Sequence, residues 1–295
     1  MAAETNLIKT VDLARVREVE FVSMFSGDVR KLRELLGIAR LIPKQAGAAL
    51  KAYKATGVLE SGNVAEGDTI PLSKYETSPI FVGEISLRKW RKATSAEAII
   101  ERGYDQAVTM TTDKMLVDIQ KELRRSFVEF LATGTGEASG GTFQAALAAA
   151  WGQLQVLFED SGISSVYLIN PLDAADYLGS AAITVQTAFG MSYVENFLGL
   201  GTVVMDSHVP KGTVYATAKE NLIGYYVPAN GSDLEEAFSF TTDESGLIGI
   251  HEEPDYTNMT ASDTVISGLT VLAERLDGIV VATIGEDAGG EDAGA

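Results

Sequence analysis

An α+β chain is predicted by three observations in the 295-residue sequence. One amphipathic helical pattern runs from Tyr104 to Ala132. A series of short strands separated by Gly and Pro turns fills residues 166–228. Residues 48–92 rise to a polar tip and return. The first follows the three- and four-residue step of a helix; the other two carry the short apolar runs and turn residues of strands. With 46% apolar residues the chain can build a sizeable core, in one large domain or two ordinary ones.

Near the start, residues 9–20 place Val11, Ala14, Val16 and Val19 among alternating charges and fit either a short helix or an extended arm. Asp28 is expected to cap a helix over VRKLRELLG, because Val29, Leu32, Leu35 and Leu36 share one face and Gly37 supplies a stop. The excursion then climbs through AALKAYKATGVLE to the tip SGNVAEGDTIPLSKYETSP and returns as IFVGEISLRKWRK. Gly62, Gly67, Pro71 and Pro79, with few apolar residues, leave the tip unable to bury much of itself, as in a loop built to contact something else. At its base Arg88, Lys89, Arg91 and Lys92 surround Trp90. That cluster has the look of a weak nucleic-acid patch, but such runs are more often solvated or paired with acidic neighbours.

In the long helix Val108, Met115, Leu116, Ile119, Leu123, Phe127, Phe130 and Leu131 form the core face, with ionic residues on the rest. The stretch TGTGEASGG at 133–141 invites a phosphate-loop reading and fails it, since no Lys follows and the glycine spacing is wrong. A flexible hinge accounts for it instead, followed by an Ala-rich helix over 143–158. Val166–Ile169 reads as a buried strand halted at Asn170-Pro171, with a helix near Asp173–Leu178. Strands follow at 201–205, 214–218 and 222–227, then more sheet with candidates at 245–250 and 279–284. The end repeats GEDAG twice and, lacking aromatic or branched residues, is expected to be disordered.

Composition removes several classes of function. Without Cys there is no disulfide framework, thiolate metal site or cysteine nucleophile. No signal peptide or stretch of eighteen apolar residues is present, so a soluble cytoplasmic product is expected, with no membrane partner. The net charge of −18 is uneven: residues 1–60 carry ten Lys/Arg against seven Asp/Glu, and residues 201–295 three against seventeen. An acidic surface repels phosphate backbones, which argues against sequence-specific DNA binding. Asp206, Ser207 and His208 have the residue types of a hydrolase triad, but triad members converge from distant positions and no G-x-S-x-G elbow exists. The run His251-Glu252-Glu253-Pro254-Asp255 offers one imidazole and no settled ligand geometry. No catalytic, cofactor-binding or metal-binding residue is assigned, and no cofactor is expected.

The block VYLINPLDAADYLG, followed by FGMSYVENFLGLGTVVMDSHVPKGTVYATAKENLIGYYV, resembles the axial domain of tailed-bacteriophage major capsid proteins, the Hong Kong 97-type capsid fold. There an "NP.D…YL" turn precedes "nflG..vv….vp.G..y…..n…yyv". Only this block is specific; from residue 28 to 284 the likeness is one of architectural order. It implies an N-terminal arm at 1–47, an extended β-hairpin loop at 48–95, a peripheral domain with a long spine helix at 96–135 and 241–277, an axial α/β domain at 136–240 and 278–284, and the disordered acidic tail at 285–295. The implied function is a structural subunit, not an enzyme, that self-assembles as hexamers and pentamers into an icosahedral shell around double-stranded DNA. Implied partners are further copies of itself, a separate scaffolding protein, a portal and decoration proteins. The implied location is the virion capsid, assembled in the host bacterial cytoplasm. Some members join subunits by a Lys–Asn isopeptide bond during maturation. Lys74 and Asn258 are placed to attempt it but match no motif tight enough for transfer. Two alternatives remain: an encapsulin-type bacterial compartment, whose inner groove takes a cargo peptide, and a secreted strand-rich surface protein with sequons at Asn230 and Asn258.

Overall fold

The computed structural model describes residues 10–285 apart from 39, 65–66, 68, 159–161, 181–184, 232–233 and 235–236. The expected acidic tail falls outside these residues, save Gly285, as do the first nine residues of the arm. A single helix, α1 (Thr10–Leu36), fills the stretch for which helix and extended arm were both open. Asp28 therefore lies within a helix and does not cap one. The apolar face made by Phe21, Phe25, Val29, Leu32 and Leu36 runs straight across Gly27, and its burial outweighs the roughly 1 kcal/mol that a mid-helix glycine costs. The Asp28 carboxylate instead accepts a bond from Gln120 Nε2 at 2.9 Å. Gly37 ends α1 as expected: it has φ 65°, and Ile38 N donates to Arg33 O at 2.9 Å in the six-to-one bond of a Schellman stop.

After β1 (Leu41–Pro43), β2 (Ala49–Val58) and β3 (Lys74–Glu84) pair antiparallel as a sheet of their own. The returning segment then breaks: β4 (Arg88–Ser95) pairs with β13 (Thr260–Ser267) instead of continuing the excursion. Ser95 caps α2 (Ala96–Arg102) by accepting from Ala98 N. The long helical pattern opens with a π-turn over Asp105–Thr109 before α3 (Met110–Leu131). Thr111 and Thr112 hydroxyls bond back to Val108 O at 2.9 Å, a local competition for carbonyls that accompanies the widened turn.

Next come β5 (Gly136–Gly140), α4 (Phe143–Leu157), β6 (Ser165–Ile169), α5 (Pro171–Ser180), β7 (Gln186–Ala188), β8 (Met191–Phe197), β9 (Gly201–Met205) and β10 (Thr213–Ala218). The chain closes with β11 (Leu222–Tyr226), β12 (Ile248–Asp255), β13, β14 (Thr270–Ala273) and β15 (Ile279–Ile284). One seven-stranded sheet runs β5-β15-β10-β6-β9-β8-β7, one three-stranded sheet β12-β13-β4, and another β1-β11-β14. The glycines expected to form a hinge are thus an edge strand, parallel to β15. Glycine is required there because the chains touch: a Cβ on Gly140 would sit 2.3 Å from the backbone nitrogen of Ala146 in α4.

Central strand β6 is buried throughout and shows how the layers stack. Val166 and Leu168 face the core shared with α1 and α3, while Tyr167 and Ile169 face the core shared with α4. Such two-sided burial is why the segment reads as a continuous apolar run and not as an alternation. Burial pushes the Tyr167 hydroxyl up to about 12.

Candidate assembly surfaces

The β2–β3 hairpin is paired from Ala49 opposite Glu84 to Val58 opposite Lys74, so at about 3.4 Å per residue it reaches on the order of 30 Å from its root. The root is fixed in a small core where Leu50 and Ile85 meet Val227 and Leu272. Its far end is not simply polar. Val58, Leu59, Ile70 and Leu72 are strongly exposed there, Leu72 at 93%. Exposed apolar side chains of this kind make the tip a candidate contact surface. In sequence these residues are scattered among Gly, Pro and charges, on either side of the tip that the paired strands carry. Lys74, at the same end, pairs with Glu76 at 2.5 Å, and Asn258, in the β12–β13 turn, accepts from Thr260 Oγ1 at 2.7 Å.

A second surface lies between α1 and α3. The two helices leave an open groove of about 720 Å³ with Phe21 and Leu116 in its lining and Arg30, Lys31 and Asp113 along it. Met24 and Val117, also lining it, are 46% and 44% exposed. The start of α1 is held to β12 by polar contacts. Arg17 pairs with Glu252, and the buried Glu18 accepts from Glu252 N at 2.7 Å and from the Thr241 hydroxyl. Burial raises the Glu252 carboxyl above its ordinary range against the opposing pull of Arg17.

Part of the basic cluster on β4 is tied to neighbouring elements. Trp90 Nε1 donates to Glu122 at 2.7 Å, Arg91 donates to Ser262 Oγ at 3.0 Å, and Lys92 pairs with the buried Asp263 at 2.9 Å. These bonds bind β4 to α3 and β13, while Lys89 and Arg91 remain exposed. Asp206 and His208 do meet, at 2.6 Å, but the third partner is Arg124 of α3, 3.4 Å from the same carboxylate. Arg124 also donates to Gly190 O at 2.8 Å. Ser207 is exposed, and the arrangement braces the loop after β9 against α3. On β12 the strand alternation parts the acidic run: Glu252 turns to α1, whereas His251 packs edge-on against Phe240 at 6.3 Å. Among the described residues no group of three or more potential metal ligands gathers, and no helix is long and apolar enough to cross a membrane.

No protein-family model matches the sequence, and no curated protein matches it. Solved structures do. The chain is similar to a virus-like particle protein from Pyrococcus furiosus, with a TM-score of 0.51 and 15% identity over 89% of this chain and 97% of that one. It is similar to the SrpI encapsulin complex of Synechococcus elongatus PCC 7942, with a TM-score of 0.52 and 11% identity over 85% and 86%. It is also similar to the capsid of Cyanophage A-1(L), with a TM-score of 0.53 and 14% identity over 87% and 93%. These neighbours are shell proteins, and the fold of this chain is a capsid-type shell fold. More particularly, it is the Hong Kong 97-type capsid fold.

Proposed function

We propose that the chain is the major capsid protein of a tailed double-stranded DNA bacteriophage, assembling as hexamers and pentamers into an icosahedral shell. The observation that carries this reading is the β2–β3 hairpin, whose exposed apolar tip extends far beyond the core that roots it. Such a lever covers a neighbouring copy, and repetition of many modest contacts around a closed shell gives a strong container. In this reading residues 1–47 are the arm, 48–95 the extended loop, 96–135 with 241–277 the peripheral domain, and 136–240 with 278–284 the axial domain. The role is structural and not catalytic. A separate scaffolding protein, a portal and decoration proteins are the expected partners, with assembly in the host bacterial cytoplasm. The acidity of residues 201–295 suits a wall that encloses DNA without sequence-specific binding.

A second reading is favoured by a different observation. The groove between α1 and α3 has the size and partly apolar lining to take a peptide, as an encapsulin shell takes its cargo. Negative-stain microscopy of the purified chain, alone and co-expressed with a scaffold-like gene product, tests the shell reading: closed particles or rings of five and six support it, and a compact monomer under every condition overturns it. Nucleic acid inside particles from infected or induced cells favours the phage reading, and an enclosed protein favours the encapsulin one.

A further inference from the structure

A small cavity of about 150 Å³ lies where α3 meets β14 and the turn from β7 to β8. Leu123 and Phe127 of α3, Leu269 ahead of β14, Phe189 of the turn and Met191 at the start of β8 line it, and all five are buried. Arg88, Ser126, Phe130 and Thr270 also line it and keep part of their surface in solvent, which makes them its mouth. A cavity of this size and apolar character is comparable to one that holds a benzene molecule.

Its chemistry is not purely apolar. Two of the lining residues are arginines, and each has a buried nitrogen without a hydrogen-bond partner, Arg124 Nε and Arg88 Nη1. Arg124 is 9% exposed and spends Nη1 on Gly190 O and Asp206. Arg88 Nη1 forms an ion pair with Glu122 at 3.8 Å, too long for a hydrogen bond, and the other oxygen of Glu122 is taken by Trp90 Nε1. Buried donors normally find an acceptor, and a guanidinium at the mouth of an apolar hole is matched by a carboxylate that carries a hydrocarbon body.

We propose that this cavity binds a small monocarboxylate with an apolar body, of the size of hexanoate or benzoate. Arg88 at the mouth donates to the carboxylate, and the hydrocarbon lies against Phe127, Phe189 and Met191. Because Phe189 and Met191 come from the seven-stranded sheet's edge and Phe127 from α3, the ligand braces one against the other. Binding to the folded chain alone would then raise its melting temperature with ligand concentration. The site is independent of whether the chain encloses a genome or a cargo.

Calorimetric titration of the full chain with hexanoate, benzoate and hexanol, together with thermal melting, tests it. Saturable binding of both carboxylates, with hexanol at least about tenfold weaker, is expected, as is a loss of about tenfold or more in carboxylate affinity in Arg88→Met. Absence of saturable binding below about 10 mM, or hexanol binding as tightly as hexanoate, overturns the proposal using the parent protein alone. Unchanged carboxylate binding in an Arg88→Met protein that melts like its parent also overturns it.

Discussion

Asp206 joins pieces of chain far apart in sequence, with Arg124 82 residues before it and His208 two residues after. Truncating it leaves the Arg124 guanidinium buried without a counter-charge, so Asp206→Ala is expected to destabilise the subunit by about 3 kcal/mol or more in urea unfolding. Glu252 behaves differently. Burial, the larger influence, lifts its pKa above 4.5 despite Arg17, so the folded subunit takes up this proton more readily than the unfolded chain does. Its contribution to stability is complete below the unfolded pKa and is lost as pH rises through the folded one. Glu252→Gln should flatten that part of a stability-against-pH curve, just above the ordinary carboxylate range, and an unchanged curve would refute the assignment. Residue types in Asp206-Ser207-His208 and in the run from His251 to Asp255 are those of a triad and a metal site, and spacing alone already argues against both; the partners that define their structural roles, Arg124 and Arg17, lie on distant helices and are not legible in the sequence.

Elements with a strong pattern were legible, and elements defined by contact were not. The long amphipathic helix was readable because one face of α3 is apolar at helical spacing; its opening π-turn was not, because one extra residue in a turn leaves no mark on that spacing. Asp28 has every property of a helix cap, and the apolar face running past it decides otherwise. The glycines of 133–141 looked flexible because glycine permits both freedom and close approach, and only the neighbouring α4 and β15 distinguish the two. A paired substitution separates these explanations. Gly140→Ala, which drives a Cβ against α4, is expected to cost about 1–3 kcal/mol. Gly141→Ala, where nothing lies within 4 Å, should fall within about 0.5 kcal/mol of the parent. Equal effects in thermal melts would restore the hinge.

For the whole molecule, the order of strands was readable in the 166–228 block, but their grouping was not. β11 follows β10 almost at once and yet joins β1 and β14 in another sheet, and β4 leaves the hairpin it seemed to complete. Local periodicity reports which face is buried, not which sheet buries it. The hairpin's outer end is polar in most of its residues, and its few apolar ones, Val58, Leu59, Ile70 and Leu72, are exposed. Replacing Leu59 and Leu72 together by Asp should leave the melting of the isolated subunit within about 0.5 kcal/mol of the parent, since both side chains are exposed. Particle formation, followed by light scattering and microscopy, should fall sharply; intact particles from the double variant would refute the hairpin as an assembly lever.

The last strand has a bearing on timing. β15 lies inside the seven-stranded sheet, between β5 and β10, and it is the strand on which the edge strand β5 pairs. On the ribosome β5 emerges with no partner and must wait for residues 279–284, more than a hundred positions later. A nascent chain therefore lacks a finished sheet until nearly all of its described length has been made. Synthesis itself delays completion of this sheet, and a chain interrupted before β15 leaves β5 without its parallel partner.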